Sequence, residues 1–380
     1  MNFTQCAACA APLGLALGKK CGRCSTRYCG PACQEQEWKE GGHDKLCKKI
    51  KKAGGAEQYY ADKRYKQAVA VAVKKYAEDT KGQTCYICTE VFHRRTKEGL
   101  VRGCACHTTE GFVHVSCLAE QAKILCDEAE ENNLDVKVLN ERFARWHTCS
   151  LCEQEYHGVV AGALGWVCWK TYECRPERDL ARCAAITVLG NGLSGARHFA
   201  DASSVQVVEL SMKRRLGASE ANLLLVQSNL AGTYRALGRL EQAHLMQLDV
   251  FSGTLKLHGE DHRSTIGEAN NYADSLFRLK RFEEAQTLLR QLIPAARRVL
   301  GESCDLTLRM GWAYAQSLYK GDRTTLDYLS EAWTTLEKTE RTARRVFGRA
   351  HPLTEDIEFA LQESRAAFSA RCAAVRNICN

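Results

Sequence analysis

The sequence predicts a mostly α protein: two small cysteine- and histidine-knit modules in the N-terminal half, followed by an α-solenoid array of helical repeats. Three observations carry this reading. Fifteen of the 21 cysteines fall in the first 152 residues, mostly as C-x2-C or C-x-C hooks accompanied by histidine. In the second half, apolar stretches return with a period of 42 residues. Only five prolines occur in 380 residues, leaving little room for long irregular segments.

Composition bounds the class. Hydrophobic content of 45% and charged content of 26% are ordinary for a globular chain. At 380 residues there is room for two or three domains. The net charge of +8 comes from 53 basic against 45 acidic residues. Such a mixture gives mild attraction to acidic surfaces and disfavours nucleic acid as the main partner. One local basic run, Lys45, Lys48, Lys49, Lys51 and Lys52, reads as a solvated helix end, the alternative being a small phosphate or nuclear-import patch.

Met1 to Leu17 has no basic segment ahead of its short apolar stretch, and Cys6 and Cys9 interrupt that stretch, against a secretory leader. The longest near-apolar run, Val159 to Trp169, has 11 residues and is too short to span a bilayer. An odd number of cysteines set in paired hooks reads as thiolate metal ligands in a reducing compartment. The expectation is a soluble intracellular protein, cytoplasmic and/or nuclear, without a membrane partner.

In the first module the hooks are Cys6-x2-Cys9, Cys21-x2-Cys24, Cys29-x3-Cys33 and His43-x3-Cys47. Zinc takes four soft or borderline ligands in a tetrahedron, so four pairs fit two ions. The two x3 pairs have the spacing of one helix face. So few large apolar side chains accompany them that metal must supply the folding free energy. Tyr28, Cys29, Cys33, Gln34, Trp38, His43 and Cys47 then follow the pattern of the MYND zinc finger, which this stretch resembles. The Trp38 to His43 spacing is two residues longer than usual, an insertion containing Gly41 and Gly42. The resemblance implies an interleaved cross-brace, with Cys6, Cys9, Cys29 and Cys33 on one ion and Cys21, Cys24, His43 and Cys47 on the other. It also implies that Gln34 and Trp38 help form a groove for proline-containing peptides. Packing of the tiny core is the preferred reading of Trp38.

Between Gly54-Gly55 and Gly82, the positions Tyr59, Tyr60, Tyr65, Ala68, Val69, Ala72, Val73 and Tyr76 recur at three- and four-residue steps. They predict one amphipathic linker helix within 51–82. A second set of eight ligands follows as Cys85-x2-Cys88, Cys104-x-Cys106, His114-x2-Cys117 and Cys149-x2-Cys152. Its C4HC3 order, C-x-C hook and Phe112-Val113-His114-Val115-Ser116-Cys117-Leu118 resemble the RING-CH finger. A PHD finger competes, and Trp146 ahead of Cys149 would suit it, but the C-x-C hook favours RING-CH. The resemblance implies a cross-brace of Cys85, Cys88, His114 and Cys117 on one ion and Cys104, Cys106, Cys149 and Cys152 on the other.

That family's activity is ubiquitin transfer, with Ile87 at the contact to a ubiquitin-conjugating enzyme. Three departures weigh against it. Gln121 replaces the usual Trp, 31 residues separate Cys117 from Cys149, and Glu153 follows the last ligand where a basic group would be useful. A helix over Leu118 to Asn132 accounts for much of the long gap. His107 and His147 read as surface or supporting histidines rather than ligands, and Cys126 as buried filler.

In the C-terminal half, "NLAGTYRALGRLEQA" from Asn229 aligns with "NYADSLFRLKRFEEA" from Asn271, and "GEDHRST" from Gly259 with "GESCDLT" from Gly301. An earlier copy runs from Thr187 to Gly217, and a later one from Ala313 to Gly348 with a five-residue insertion. Each unit is a helix-turn-helix. Leu237, Gly238, Arg239, Ala243, Gly348, His351, Pro352 and Thr354 give it the look of kinesin-light-chain-type tetratricopeptide repeats, with Val159 to Tyr172 as the first helix of 156–380. The resemblance implies a superhelix whose concave groove holds a peptide, with Asn229 and Asn271 facing it.

No phosphate loop, nucleophilic triad or open three-ligand metal site is present, and nothing after Cys47 has the β-rich pattern of a SET methyltransferase. The combination of modules resembles multi-domain proteins of unicellular algae. The expectation is a protein-interaction adaptor carrying about four structural zinc ions, binding proteins or peptides. The alternative is a soluble RING-CH-type ubiquitin ligase that recruits a conjugating enzyme.

Overall fold

Proline and glycine set the helices of the first module. Pro31 opens α1 (Pro31–Lys39), where its missing N–H removes no helical bond. Gly42, left-handed at φ 77°, leads into α2 (His43–Lys52), and Gly55, at φ 114°, into α3 (Ala56–Lys75). A short antiparallel pair, β1 (Lys19–Lys20) and β2 (Arg27–Tyr28), completes the module, with Lys19 opposite Tyr28. The computed structural model describes residues 5–11, 13, 18–104, 106, 111–321, 324–349 and 351–379.

Two expectations are corrected here. Cys29 and Cys33 do not share a helix face: α1 begins only at Pro31, after an extended Gly30, so Cys29 lies in the preceding turn. The linker helix is also shorter than its periodicity suggested. Gly54 and Gly55 break it from α2, and it ends at Lys75, with residues 76–82 in turns.

One face of α3 buries Ala61, Tyr65, Val69 and Ala72. The core they begin continues into the second module, where α4 (Val115–Glu131), α5 (Val136–Phe143) and a 3-10 turn over Ala144–Trp146 fill the long gap between hooks. The Asp135 carboxylate caps α5 by accepting the Val138 N–H at 3.0 Å. The same core reaches α6 (Gly158–Tyr172), α7 (Leu180–Gly195) and α8 (Phe199–Arg215). Trp146, Trp169 and Tyr172 are its largest fully buried side chains. The two Gly-rich helices α6 and α7 approach so closely that a Cβ on Gly192 would lie 2.4 Å from the Ala161 carbonyl oxygen. Residues 1–219 therefore form one compact unit, and 220–380 a second.

The second unit is a run of antiparallel helices: α9 (Glu220–Ala236), α10 (Leu240–His258), α11 (Arg263–Arg278), α12 (Phe282–Leu300), α13 (Asp305–Lys320), α14 (Leu326–Phe347) and α15 (Pro352–Cys379). The 42-residue period has a backbone cause. Gly259, Gly301 and Gly348 end α10, α12 and α14 at φ 79°, 86° and 86°, and the α9–α10 and α11–α12 turns pass through left-handed Gly238 and Lys280. His262 and His351 use Nδ1 to accept the N–H groups of Ser264 and Leu353, each at 3.2 Å, so the histidine of this gap caps a helix. Leu289, Leu308, Leu318 and Leu336 fill the interior. No helix among the described residues is long and apolar enough to cross a membrane.

Candidate metal centres

All four C-x2-C hooks share one backbone loop. The first cysteine's N–H donates to the carbonyl five residues on, and the residue just after the second cysteine donates back to the first cysteine's carbonyl, at 2.8–3.1 Å throughout. That returning residue is left-handed each time: Ala10, Ser25, Thr89 and Glu153. The loop turns both sulfurs to one side. Glu153, which the sequence marked only as an acidic group in an awkward place, thus serves a backbone role.

The loops bring the sixteen sequence-named residues into four groups, Cys6/Cys9/Cys29/Cys33, Cys21/Cys24/His43/Cys47, Cys85/Cys88/His114/Cys117 and Cys104/Cys106/Cys149/Cys152, whose ligand atoms all lie within 4.8 Å of one another. The arrangement is interleaved in both modules. Thiolates about 2.3 Å from a zinc ion at tetrahedral angles sit about 3.8 Å apart, and a thiolate and imidazole nitrogen about 3.6 Å. Cys21 and Cys47 sulfurs are 3.9 Å apart, and those of Cys106 and Cys149 3.8 Å. His43 Nε2 lies 3.4 Å from Cys24 Sγ; His114 Nδ1 is 3.4 Å from Cys88 Sγ and 3.5 Å from Cys117 Sγ. Cys9 and Cys29 are closer, at 3.3 Å. These donor sets fit tetrahedral zinc.

Surrounding groups orient the donors. His114 Nε2 meets the Val91 carbonyl at 3.2 Å, so Nε2 carries the proton and Nδ1 presents its lone pair to the cluster. Tyr28 and Trp38 rings stand 5.9 and 5.8 Å from the His43 ring. The Cys24/His43 group is buried throughout, while Cys9 and Cys29 of its neighbour are exposed. Burial would raise the Cys6 thiol, but the N–H groups of Cys9, Cys29 and Ala8 bring it down to about 6. Hydrogen bonding from Cys117 holds Cys85 at about 4. The thiols of Cys9 and Cys6 hydrogen-bond to Cys29 and raise it to about 12, and burial pushes Cys47 up to about 12. In the first and third groups one thiol is thus held low, the form in which it would bind a dication.

The other named residues separate. Trp38 is 43% exposed and leans on His43, so it does not fill the core; Tyr28 and Ile50, both fully buried, do. Gln34 is half-buried on α1. Ile87 is exposed on its hook, beside a groove of about 730 Å³ that also takes in Gln121, Ile124 and Arg95. His147 stands apart from the four groups, 4.0 Å from the Glu155 carboxylate, and Cys126 is buried in the aromatic core. His107 lies outside the described residues. In the array Asn229 and Asn271 are half-buried, and Asn271 donates to Glu268 at 3.2 Å. Glu268 also accepts from Ser228 at 3.0 Å and Gln247 at 2.6 Å. Sequence reasoning missed Glu268, whose partners come from three helices, and also His93. The His93 loop repeats the hook's two backbone bonds and its left-handed fifth residue, Lys97, but its Nδ1 accepts from the Thr96 N–H and hydroxyl at 3.2 and 2.9 Å.

Comparison with known proteins assigns the two ends of this architecture. The model of the MYND finger matches residues 6–47, and that of the tetratricopeptide repeat matches 223–264 and 269–303, so the chain carries both. No curated protein matches the chain. Solved structures similar to it include the nearly identical TPR-like repeats of a kinesin light chain from Podosopora anserina, 17% identical with a TM-score of 0.42 over 62% of this chain and 98% of that one. BtubC (BKLC) from P. vanneervenii is 15% identical, with a TM-score of 0.42 over 69% of this chain and 91% of that one.

Proposed function

We propose that this chain is a zinc-dependent protein-interaction adaptor whose four metal centres are structural. The observation that carries the reading is closure: each group offers four protein donors, so no position remains for a water or a substrate. Cys6, Cys9, Cys29 and Cys33 hold one ion, Cys21, Cys24, His43 and Cys47 the second, Cys85, Cys88, His114 and Cys117 the third, and Cys104, Cys106, Cys149 and Cys152 the fourth. The segment 85–152 is a RING-CH-like module, and 156–380 the repeat array. Partner proteins or peptides engage the exposed Trp38 with Gln34 on the first finger, and Asn229 and Asn271 on the array. Metal analysis of the purified chain should give four zinc per molecule; two would leave one module metal-free.

A second reading, a soluble ubiquitin ligase, is favoured by the groove beside the Cys85/Cys88/His114/Cys117 group, where Ile87 and Ile124 present apolar surface. A conjugating enzyme docked there would transfer ubiquitin without any catalytic group from this chain. With ubiquitin, activating enzyme and a panel of conjugating enzymes, the adaptor reading expects no ubiquitin chains. Chains lost on Ile87→Ala would establish the ligase instead.

A further inference from the structure

The lysines of α2 sort cleanly once the helix is placed. His43, Cys47 and Ile50 point inward and are buried at 2%, 0% and 0% exposure. Lys45, Lys48, Lys49 and Lys52 fall on the opposite side at i, i+3, i+4 and i+7, with Lys51 beside them, and all five are exposed. None of the five has an acidic partner among the described residues. Some exposed lysines elsewhere do, such as Lys39 with Glu35, Lys66 with Asp62, Lys81 with Glu78 and Lys123 with Asp127. Others, such as Lys63, Lys97 and Lys137, form no ion pair among the described residues but stand apart in sequence. What distinguishes α2 is density: five exposed lysines without an ion pair among the described residues stand within eight residues of one helix.

Lysines near a helix C-terminus also answer the helix dipole. That accounts for Lys49, Lys51 and Lys52, which lie in the last turn, but not for Lys45 and Lys48. The face is also held in place. His43 and Cys47 belong to one metal-type group, so α2 cannot rotate without breaking it.

We infer that the outer face of α2 is a docking surface for the phosphate backbone of nucleic acid. This goes beyond the adaptor reading and does not depend on it. A ten-residue helix is about 15 Å long, the axial rise of about four phosphates on one strand, and it offers four lysines along that length. An anionic membrane is the weaker match. Interfacial helices bury an apolar face, and Leu46, at 37% exposure, is the exposed large apolar side chain that α2 has. Contacts through lysine to phosphate carry no base readout, so binding is sequence-independent.

The test uses the full zinc-loaded chain with fluorescein-labelled 20-base-pair DNA and 20-nucleotide RNA of mixed sequence, read by anisotropy. Four neutralised phosphates give a salt slope near about −3.6, hence about 150-fold weaker binding at 200 mM than at 50 mM salt. A variant carrying Lys45→Gln, Lys48→Gln, Lys49→Gln and Lys52→Gln, with zinc content unchanged, should bind at least about tenfold more weakly. A control carrying Lys39→Gln, Lys66→Gln, Lys81→Gln and Lys123→Gln removes the same charge and should bind as the unaltered chain does. Should the first variant lose zinc, the DNA duplex must instead protect the α2 lysines of the unaltered chain from acetylation. The DNA and RNA arms distinguish which backbone is preferred. Absence of binding to both at 50 mM salt, equal loss in the control, or lysine-dependent binding only to phosphatidylserine vesicles would each overturn the inference.

Discussion

The finger region and the repeat array are both built largely of helices, yet they hold themselves together in opposite ways. In the first finger, the buried hydrophobic set is four cysteines plus Tyr28, Ile50 and Ala56, too little apolar surface to fold alone. In the array, leucine, isoleucine and alanine positions from α10 to α15 form one continuous core. The first region closes around points, the second along a line. Metal dependence should therefore be confined to one part of the chain.

The largest expected effect follows directly. Structural zinc contributes about 10–16 kcal/mol of apparent binding free energy, as much as the whole stability of a typical domain. A strong chelator should unfold the first unit, in which α6 to α8 share the core of the second finger, and leave the helices from α9 onward. Circular dichroism should retain the helical signal of α9 to α15, and proteolysis should yield a fragment starting near residue 220, the junction of the two units. Loss of all helical signal on chelation would end the comparison.

A smaller effect probes the array from its own side. Leu336, fully buried on α14, leaves a cavity on Leu336→Ala, costing about 2–5 kcal/mol. Urea unfolding of the chelated protein should show this cost, and zinc retention by the untreated variant should be unaltered. Loss of zinc from the variant would show that the two regions fold as one.

The smallest effect is a pH dependence. His244 is buried in α10, with Nε2 accepting from Arg281 at 2.6 Å and Nδ1 3.0 Å from the Ser275 hydroxyl. Burial, then the Arg281 charge, lowers its pKa. A folded value below the unfolded one means that the unfolded chain binds the extra proton first, so stability falls as pH drops below about 6.5. Above that pH the contribution is constant. Thermal melts of the chelated protein between pH 7.5 and 5.5 should show this slope, and His244→Gln should flatten it.

How much of this was legible beforehand divides along the same line. The sixteen residues that gather in the four groups could be named from spacing because a tight loop holds its side chains close in sequence. Their interleaving came from family likeness, since spacing says which residues pair but not which pairs meet. The repeat period could be read because left-handed Gly259, Gly301 and Gly348 mark it. Trp38 was misjudged because an aromatic in a tiny module looks like core, whereas Tyr28 and Ile50 already occupy that space. That α6 to α8 share a core with α3 and the second finger was invisible. Periodicity identifies a helix face but not what it packs against.

The loop at His93 bears on what a metal ion does for such a fold. Within fifteen residues the chain builds the same turn twice, at Cys85 and at His93, with the same backbone bonds and the same left-handed fifth residue. One is a thiol hook; the other is closed by an imidazole on its own threonine. The same main-chain turn thus accepts either closure. What an ion adds at the cysteine copies is a rivet between distant turns. Replacing a hook's cysteines should therefore release the joint, and with it the fold of that finger.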